Sequence, residues 1–153
     1  MWRFARNECL CEELTQDVFV EAYLSLAKYK ATGPFLNWLW RIATRVGYRY
    51  WKQQTKQSQT VPLPDESILA EATPDSTDPQ LAAEILTGLL SRLKPPERLI
   101  LTLQYFENQS LKQIADHMGW NTAVVKMRAH RARKKLKQIA IRENLLEKLQ
   151  WMN

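Results

Sequence analysis

The sequence predicts an all-α protein with two small helical domains joined by a flexible acidic linker, the second domain containing a helix-turn-helix. Apolar residues recur at helical spacing, and prolines, glycines and capping residues divide the stretches into separate helices. Charge is also segregated along the 153 residues. These three features together favour helices only and more than one domain.

Charge divides the chain into three parts. Residues 1–57 carry nine basic and five acidic residues, residues 58–80 carry no basic and five acidic residues, and residues 81–153 carry thirteen basic and six acidic residues. The middle part also holds four of the seven prolines, a composition typical of a flexible linker. A plain tether and an interacting segment both stay open for it. The predicted domains are therefore residues 1–57 and residues 81–153.

The composition limits the function. Lys and Arg number 22 against 16 acidic residues, and this net charge of +6 favours a polyanionic partner. No stretch approaches the roughly 20 apolar residues of a membrane span, and the N-terminus lacks the layout of a signal peptide, so we expect a cytoplasmic protein without membrane insertion. Cys9 and Cys11 are separated by one residue and have no further His or Cys nearby, which predicts reduced thiols, no metal site and no cofactor.

The first predicted helix runs from Glu12 to Ala27. Its apolar side consists of Leu14, Val18, Phe19, Ala22 and Leu26. Its acidic side holds Glu13, Asp17 and Glu21 at i, i+4 and i+8, a spacing of like charges that costs roughly 0.2–0.5 kcal/mol per pair. A solvated face tolerates this cost, whereas a basic partner surface converts the same charges into affinity.

A break over Tyr29–Pro34 precedes the second helix, which is predicted from Phe35 to Lys52 with Pro34 at its start. Its apolar side consists of Phe35, Leu39, Ile42, Ala43 and Val46. The other side gathers aromatic and basic residues, namely Trp38, Arg41, Arg45, Tyr48, Arg49 and Lys52, with Trp40 and Trp51 on its flank. Rings that stack on bases and cations that follow phosphates suit single-stranded nucleic acid. The alternative is that Trp38 and Trp40 are core residues.

The second domain is predicted to begin at Asp78 and Pro79, an N-cap and a first-turn proline. Pro95 and Pro96 end this helix and start the next. The apolar positions of the two helices are Leu81, Ile85, Leu86, Leu89, Leu90 and Leu93, and then Leu99, Ile100, Leu103 and Phe106. The pattern predicts a helical bundle, followed from Ile139 by a C-terminal tail.

A helix-turn-helix is predicted from Ser110 onward. Ser110 and Gln113 have the spacing of a capping box, Gly119 is placed to end the short helix in a left-handed turn, and Asn121 is a good N-cap for a second helix. A short helix, a turn containing Gly and a basic second helix form this motif. In such a unit the second helix contacts base edges while the first crosses the backbone.

The second helix of the motif, from Asn121 to Lys137, is predicted to be amphipathic. A narrow apolar stripe holds Val125, Ala129, Ala132, Leu136 and Ile139, and the opposite side holds Lys126, Met127, His130, Arg131, Lys134 and Lys137. A broad cationic face on a helix suits the major groove of DNA. The alternative is a solvated basic helix, and the preceding turn favours DNA over it.

Two segments of the chain resemble the extracytoplasmic-function sigma factors of bacterial RNA polymerase. The first is EELTQDVFVEAY (Glu12–Tyr23) with GPFLNWLWRIA (Gly33–Ala43), similar to the family's second conserved region. The second is LKPPERLILTLQYFENQSLKQIADHMGWNTAVVKMRAHRARKKL (Leu93–Leu136), similar to the fourth. The spacing within each segment, their order and the acidic linker between them all fit the family.

The resemblance implies roles for the first domain. In this family the domain binds the clamp helices of the polymerase β′ subunit, opens the minus-ten promoter element and captures a flipped base in a loop, which corresponds here to Lys30–Pro34. The implied polymerase contacts are Glu13, Gln16, Asp17 and Glu21. The implied minus-ten contacts are Lys30, Trp38, Arg41, Arg45, Tyr48 and Arg49.

The resemblance also implies that the second domain binds the minus-thirty-five element. The matching positions are Lys126, Met127, His130, Arg131 and Lys134, with phosphate contacts from Arg98 and Lys112. The implied partners are promoter DNA and the RNA polymerase core, which is contacted through its β′ clamp helices and β flap. An anti-sigma factor is a further partner that the resemblance allows. The linker would thread toward the RNA exit path, where its negative charge mimics nucleic acid.

The chain departs from the family pattern in two places. Family members usually carry another helix and a half before the stretch that matches as Trp2–Arg6, so part of the Glu12–Ala27 packing face is expected to be uncovered. Arg45 and Arg49 stand where the family often has Asn and Asp, which predicts a more basic melting face.

Three other functions stay open. An ordinary repressor or activator would need no Glu13–Asp17 motif and would bind duplex DNA alone. An enzyme is disfavoured because the sequence has no Gly-rich phosphate loop and no metal cluster, and His130 sits on the basic face. The main alternative is a sigma-like regulator that does not support initiation, which a transcription assay with core polymerase distinguishes.

Overall fold

The computed structural model describes residue 1, residues 3–60 and residues 79–142. Every regular element within these ranges is a helix, which confirms the predicted all-α class. The chain divides between Val61 and Pro62 into two compact units, and each is described by itself. Most of the predicted acidic linker and the end of the C-terminal tail lie outside the described residues. No helix in the described ranges has both the length and the apolar character of a membrane span.

The first unit is built around helices α1 (Glu8–Ser25) and α2 (Phe35–Thr60), joined by a 3₁₀ turn over Leu26–Lys28 and a loop. Helix α1 begins before the predicted Glu12 because the Asn7 side chain caps it, accepting a hydrogen bond from the Leu10 N–H at 3.3 Å. Helix α2 continues past the predicted Lys52 because residues 53–60 contain neither Gly nor Pro.

The core of this unit lies between one face of α1 and one face of α2. Leu14, Val18 and Ala22 of α1 are buried in it together with Ile42 and Val46 of α2. Phe19 and Leu26, which the sequence also places on the apolar side of this helix, are 61% and 50% exposed. The buried positions of α1 recur strictly every four residues, and Phe19 is turned about 100° away from its neighbour Val18.

The segment before α1 packs against the middle of α2. Trp51 is only 2% exposed, its ring lies 4.7 Å from the Phe4 ring between centroids, and its indole N–H donates to the Phe4 carbonyl at 2.9 Å. The expectation that Trp51 flanks an exposed nucleic-acid face is therefore wrong. Burial with a satisfied indole N–H is the usual way in which a core holds tryptophan.

Gly47 permits this close approach. A Cβ atom added at Gly47 would lie 2.2 Å from Cγ of Phe4, so any side chain here would displace the ring from α2. At Gly88, on a helix of the second unit, such a Cβ would have no heavy atom within 4 Å apart from the adjoining residues and backbone of its own helix.

Within residues 79–142 the second unit has four helices, α3 (Pro79–Ser91), α4 (Pro95–Phe106), α5 (Leu111–Met118) and α6 (Thr122–Arg142). Helix α4 is central, and its Leu99, Ile100 and Leu101 are fully buried. Helix α6 packs against α3, α4 and α5 through a stripe that includes Val125, Ala129 and Ala132, all at 0% exposure. The predicted apolar stripe of α6 is thus confirmed.

The turns around α5 have the predicted chemistry. Ser110 and Gln113 form both hydrogen bonds of a capping box, and Gly119 ends the helix with φ of +67°. Asn121 caps α6, its side-chain oxygen accepting from the Ala123 N–H at 2.8 Å. Before α5, Asn108 occupies the left-handed region with φ of +51°, a conformation that Asn tolerates better than most residues. The predicted helix-turn-helix is therefore confirmed.

We expect Gly47→Ala to destabilise the protein by about 1–3 kcal/mol, because the added methyl group overpacks the contact with Phe4. The matched control is Gly88→Ala, which should be neutral or stabilise by up to about 1 kcal/mol, since Ala is the better helix former and the site is open. Denaturant unfolding of both variants measures the difference. Equal effects of the two substitutions would contradict the proposed role of Gly47.

Candidate nucleic-acid and polymerase interfaces

Helix α6 presents its cations away from the core. The buried stripe of Val125, Ala129 and Ala132 fixes the rotation of the helix about its axis. The opposite positions are exposed, and they are the residues that the sequence assigned to DNA: Lys126, Met127, His130, Arg131, Lys134 and Lys137. These side chains form one continuous surface, which we call the α6 cationic face.

The start of α6 is held by a contact that the sequence did not predict. The Arg128 guanidinium lies over the Trp120 ring at 5.4 Å from its centroid. The backbone N–H of Trp120 donates a hydrogen bond to the Ala115 carbonyl at 2.8 Å. A cation over an indole is an attractive arrangement. The contact thus joins the turn to the second turn of α6. The sequence gave no signal for this contact, because Trp120 lies outside the helix, eight residues before Arg128.

The two remaining candidates for the second domain lie on other helices. Lys112 is exposed in the first turn of α5, and Arg98 is partly buried in the first turn of α4. Helix α4 is also tied to α6 directly, since Arg133 donates to the Gln104 side-chain oxygen at 3.3 Å. The position of α6 relative to α4 is therefore supported by polar as well as apolar contacts.

In the first unit, three aromatic rings cluster at the start of α2. The ring centroids of Tyr29 and Trp38 are 5.0 Å apart, those of Phe35 and Trp38 are 5.3 Å apart, and those of Tyr29 and Phe35 are 5.6 Å apart. Trp38 is partly buried and also packs against the core. We call these three residues the aromatic cluster.

A pocket of about 290 Å³ lies beside the aromatic cluster. Three cationic side chains line it, which is the combination of rings and cations that favours an unpaired base and its phosphates. The lining residues are Lys28, Tyr29, Lys30, Thr32, Gly33, Pro34, Trp38 and Arg41. The structure thus brings together the candidates Lys30, Trp38 and Arg41, and it adds Lys28 and Tyr29, which the sequence did not single out.

The other three minus-ten candidates lie farther along α2 and do not line this pocket. Arg45 is exposed and Tyr48 is partly buried, with the Lys52 ammonium 5.9 Å from the Tyr48 ring centroid. Arg49 forms an ion pair with Glu21 of α1. Two residues expected at different interfaces therefore contact each other and connect α1 with α2.

The outward face of α1 is both acidic and apolar. The candidates Glu13, Gln16 and Asp17 are exposed, and beyond them on the same side Val20, Tyr23 and Leu24 are 56%, 80% and 71% exposed. The spacing of residues 13, 17, 20 and 24 is helical, so this apolar continuation could have been found from the sequence. We call these six residues the α1 outward face.

The described part of the chain contains no group of three or more His, Cys, Asp or Glu side chains placed to hold a metal ion. Cys9 is exposed, and the partly buried Cys11 thiol donates to the Ala5 carbonyl. Both cysteines are free.

The fold and the α6 cationic face define a helix-turn-helix DNA-binding protein that carries a second helical unit. Comparison with family models assigns the units: Sigma-70 region 2 matches residues 1–57, and Sigma-70, region 4 matches residues 83–136. The chain belongs to the RNA polymerase sigma factors, and within them to the extracytoplasmic-function group.

Individual relatives agree with this assignment. The chain is 30% identical over 131 residues to RNA polymerase sigma factor YlaC of Bacillus subtilis, covering 83% of this chain and 75% of that protein. It is 29% identical over 137 residues to RNA polymerase sigma factor CarQ of Myxococcus xanthus, covering 90% and 78%. The fold resembles that of the sigma factor RpoE solved with the anti-sigma factor NepR from Bartonella quintana, with a TM-score of 0.59, 19% identity and coverage of 90% and 84%.

We expect the Glu21 and Arg49 side chains to be coupled by about 0.2–1 kcal/mol, the range for exposed ion pairs. A double-mutant cycle with Glu21→Gln and Arg49→Gln, measured by denaturant unfolding, gives the coupling free energy. The coupling should fall as salt is raised, because both groups are partly exposed. A coupling that does not change with salt would show that the two residues interact through packing alone.

Proposed function

We propose that this sigma factor binds the core of RNA polymerase in the cytoplasm, directs it to promoters, opens the minus-ten element and binds the minus-thirty-five element. One observation carries the proposal: a single chain joins a unit matched by Sigma-70 region 2 to a unit matched by Sigma-70, region 4. A simple repressor or activator requires only the second. The surfaces of both units support the proposal.

The α6 cationic face is the proposed contact with the minus-thirty-five element. A helix of a helix-turn-helix enters the major groove with its N-terminal residues on base edges. Lys126 and Met127 are exposed within the first two turns of α6, and His130 and Arg131 follow one turn later. Lys134 and Lys137 lie farther along, where phosphate contacts carry affinity without sequence information. Arg98 and Lys112 are proposed as further phosphate contacts.

The pocket beside the aromatic cluster is the proposed site for an unpaired base of the minus-ten element. Base stacking on an aromatic ring is worth about 1–3 kcal/mol, and unstacking a base costs a few kcal/mol. Trp38 lines the pocket with Lys30 and Arg41, so stacking and phosphate attraction can act on the same nucleotide. Arg45 and Tyr48 extend the surface along α2, whereas Arg49 is engaged by Glu21.

The α1 outward face is the proposed contact with polymerase. Its Glu13 and Asp17 suit a basic partner, and its exposed Tyr23 and Leu24 supply apolar area of the kind that anchors interfaces. The resemblance to the family supports the clamp helices of β′ as the partner of this face. The second unit is proposed to meet the β flap. By analogy with the Bartonella protein, solved with an anti-sigma factor, an inhibitory partner of that kind is also proposed.

Transcription with core polymerase tests the proposal as a whole. Adding the protein should produce transcripts that start at a defined position on a promoter selected from genomic fragments, and core polymerase alone should not. Binding to polymerase without any transcript would instead assign the protein to the sigma-like regulators that do not support initiation. Sequence-specific binding to duplex DNA without any affinity for polymerase would assign it to ordinary regulators.

The combined substitution of Glu13→Lys and Asp17→Lys should abolish co-purification with core polymerase, because it places cations on a surface proposed to face a basic partner. The control pair Glu84→Lys with Asp116→Lys makes the same change in net charge at exposed positions of the second unit. Far-ultraviolet circular dichroism checks that both variants remain helical. Retained co-purification of the first pair would refute the assignment of the α1 outward face.

Arg131→Ala should relax base preference at one or two positions of the minus-thirty-five element, since a bidentate Arg–guanine contact discriminates by about 1–3 kcal/mol. Lys137→Ala should weaken binding to all sequences alike and lower the salt slope by about one unit. Selection from a promoter library over a salt series measures both effects. A uniform loss with both variants would mean that α6 contributes charge only, and that specificity arises in the first unit.

A further inference from the structure

The loop that precedes α2 is closed by one side chain. The Tyr29 hydroxyl donates a hydrogen bond to the Gly33 carbonyl, with an oxygen–oxygen distance of 2.7 Å. Between these residues the backbone turns sharply, and Ala31 takes the left-handed conformation with φ of +52°, which is uncommon for a residue with a side chain. A bond across the loop therefore supports a conformation that the loop sequence itself does not favour.

The Tyr29 hydroxyl is held in place by the rest of the residue. Its backbone N–H donates to the Leu26 carbonyl at 2.9 Å, and its ring contacts both Phe35 and Trp38 in the aromatic cluster. Rings at these centroid distances attract each other beyond simple burial. The side chain thus connects the 3₁₀ turn, the loop and the first turn of α2.

The pocket depends on the same bond. Tyr29 and Gly33, the two partners of the bond, both line it. Thr32 and Pro34, which flank Gly33, line it as well. A change in the distance between Tyr29 and Gly33 therefore changes the shape of the pocket, whose lining also includes Trp38 and Arg41 of helix α2.

We propose that Tyr29 is a positioning residue whose hydroxyl sets the shape of this pocket and thereby its preference among the four bases. The proposal rests on the proposed function, in which the pocket takes an unpaired base of the minus-ten element. It assigns affinity and base preference to different residues. Trp38 and the cations bind any nucleotide, and the loop fixed by Tyr29 discriminates among bases. Discrimination by shape requires a rigid wall, and the hydroxyl bond provides the rigidity.

The test uses Tyr29→Phe, which removes the hydroxyl and keeps the ring. The probes are single-stranded oligonucleotides carrying the non-template minus-ten element, with each of the four bases placed at each position in turn. Their binding to the complex of core polymerase with the full-length protein is measured by fluorescence anisotropy. The control is Tyr105→Phe, the same chemical change at an exposed tyrosine on α4 of the other unit.

We expect Tyr29→Phe to lower the ratio of best to worst base by roughly two- to tenfold at one position of the element, the range for loss of one hydrogen bond. The other positions of the element should keep their wild-type ratios, and Tyr105→Phe should change no ratio at any position. This result would also separate discrimination from stability, since a merely structural role lowers the unfolding midpoint without changing a base ratio.

Two results would overturn the role of Tyr29. In the first, Tyr29→Phe keeps the wild-type base ratios at every position. In the second, it weakens all oligonucleotides by the same factor, which would mean that the hydroxyl only stabilises the loop. If the wild-type complex itself shows no preference among bases at any position, the minus-ten part of the proposed function fails, and the role of Tyr29 fails with it.

Discussion

The burial of one narrow stripe of α6 is the constraint on which the second unit depends. Val125, Ala129 and Ala132 have no exposed surface, and the two alanines let α6 approach its neighbours closely. Because a helix is rigid about its own axis, burying this stripe directs the opposite side chains outward together. The apolar contact inside the unit therefore orients the cations outside it, and no polar contact at the surface is required for this.

In the first unit, helix α2 uses the same residue types in the core and on the surface. Trp51 lies in the core with a satisfied N–H, whereas Trp38, some three and a half turns earlier, belongs to both the core and a pocket. The close packing of Phe4 on Gly47 anchors the middle of this helix. The start of the helix presents rings and cations, and Trp38 connects the aromatic cluster there to the core.

The second unit could be predicted almost entirely from the sequence, and the first only in part. The capping box at Ser110 and the left-handed Gly119 are local features, so their sequence signals are sufficient. In α2, aromatic residues are interspersed with basic residues, and periodicity alone cannot show which tryptophan is buried. The pair of Glu21 and Arg49 and the bond from Tyr29 to Gly33 depend on the crossing of helices and the path of a loop. Neither is encoded in local spacing.

The ion pair between Glu21 and Arg49 bears on how such proteins are recognised. A description by single positions counts Arg49 as a departure from the family, where Asp is frequent at the matching place. In three dimensions the guanidinium is neutralised by a carboxylate on the neighbouring helix. Exchanging Arg49 alone for Asp would place two carboxylates side by side and oppose the packing of α1 on α2. The functional unit at this point of the fold is therefore a contact between two helices, rather than either residue alone.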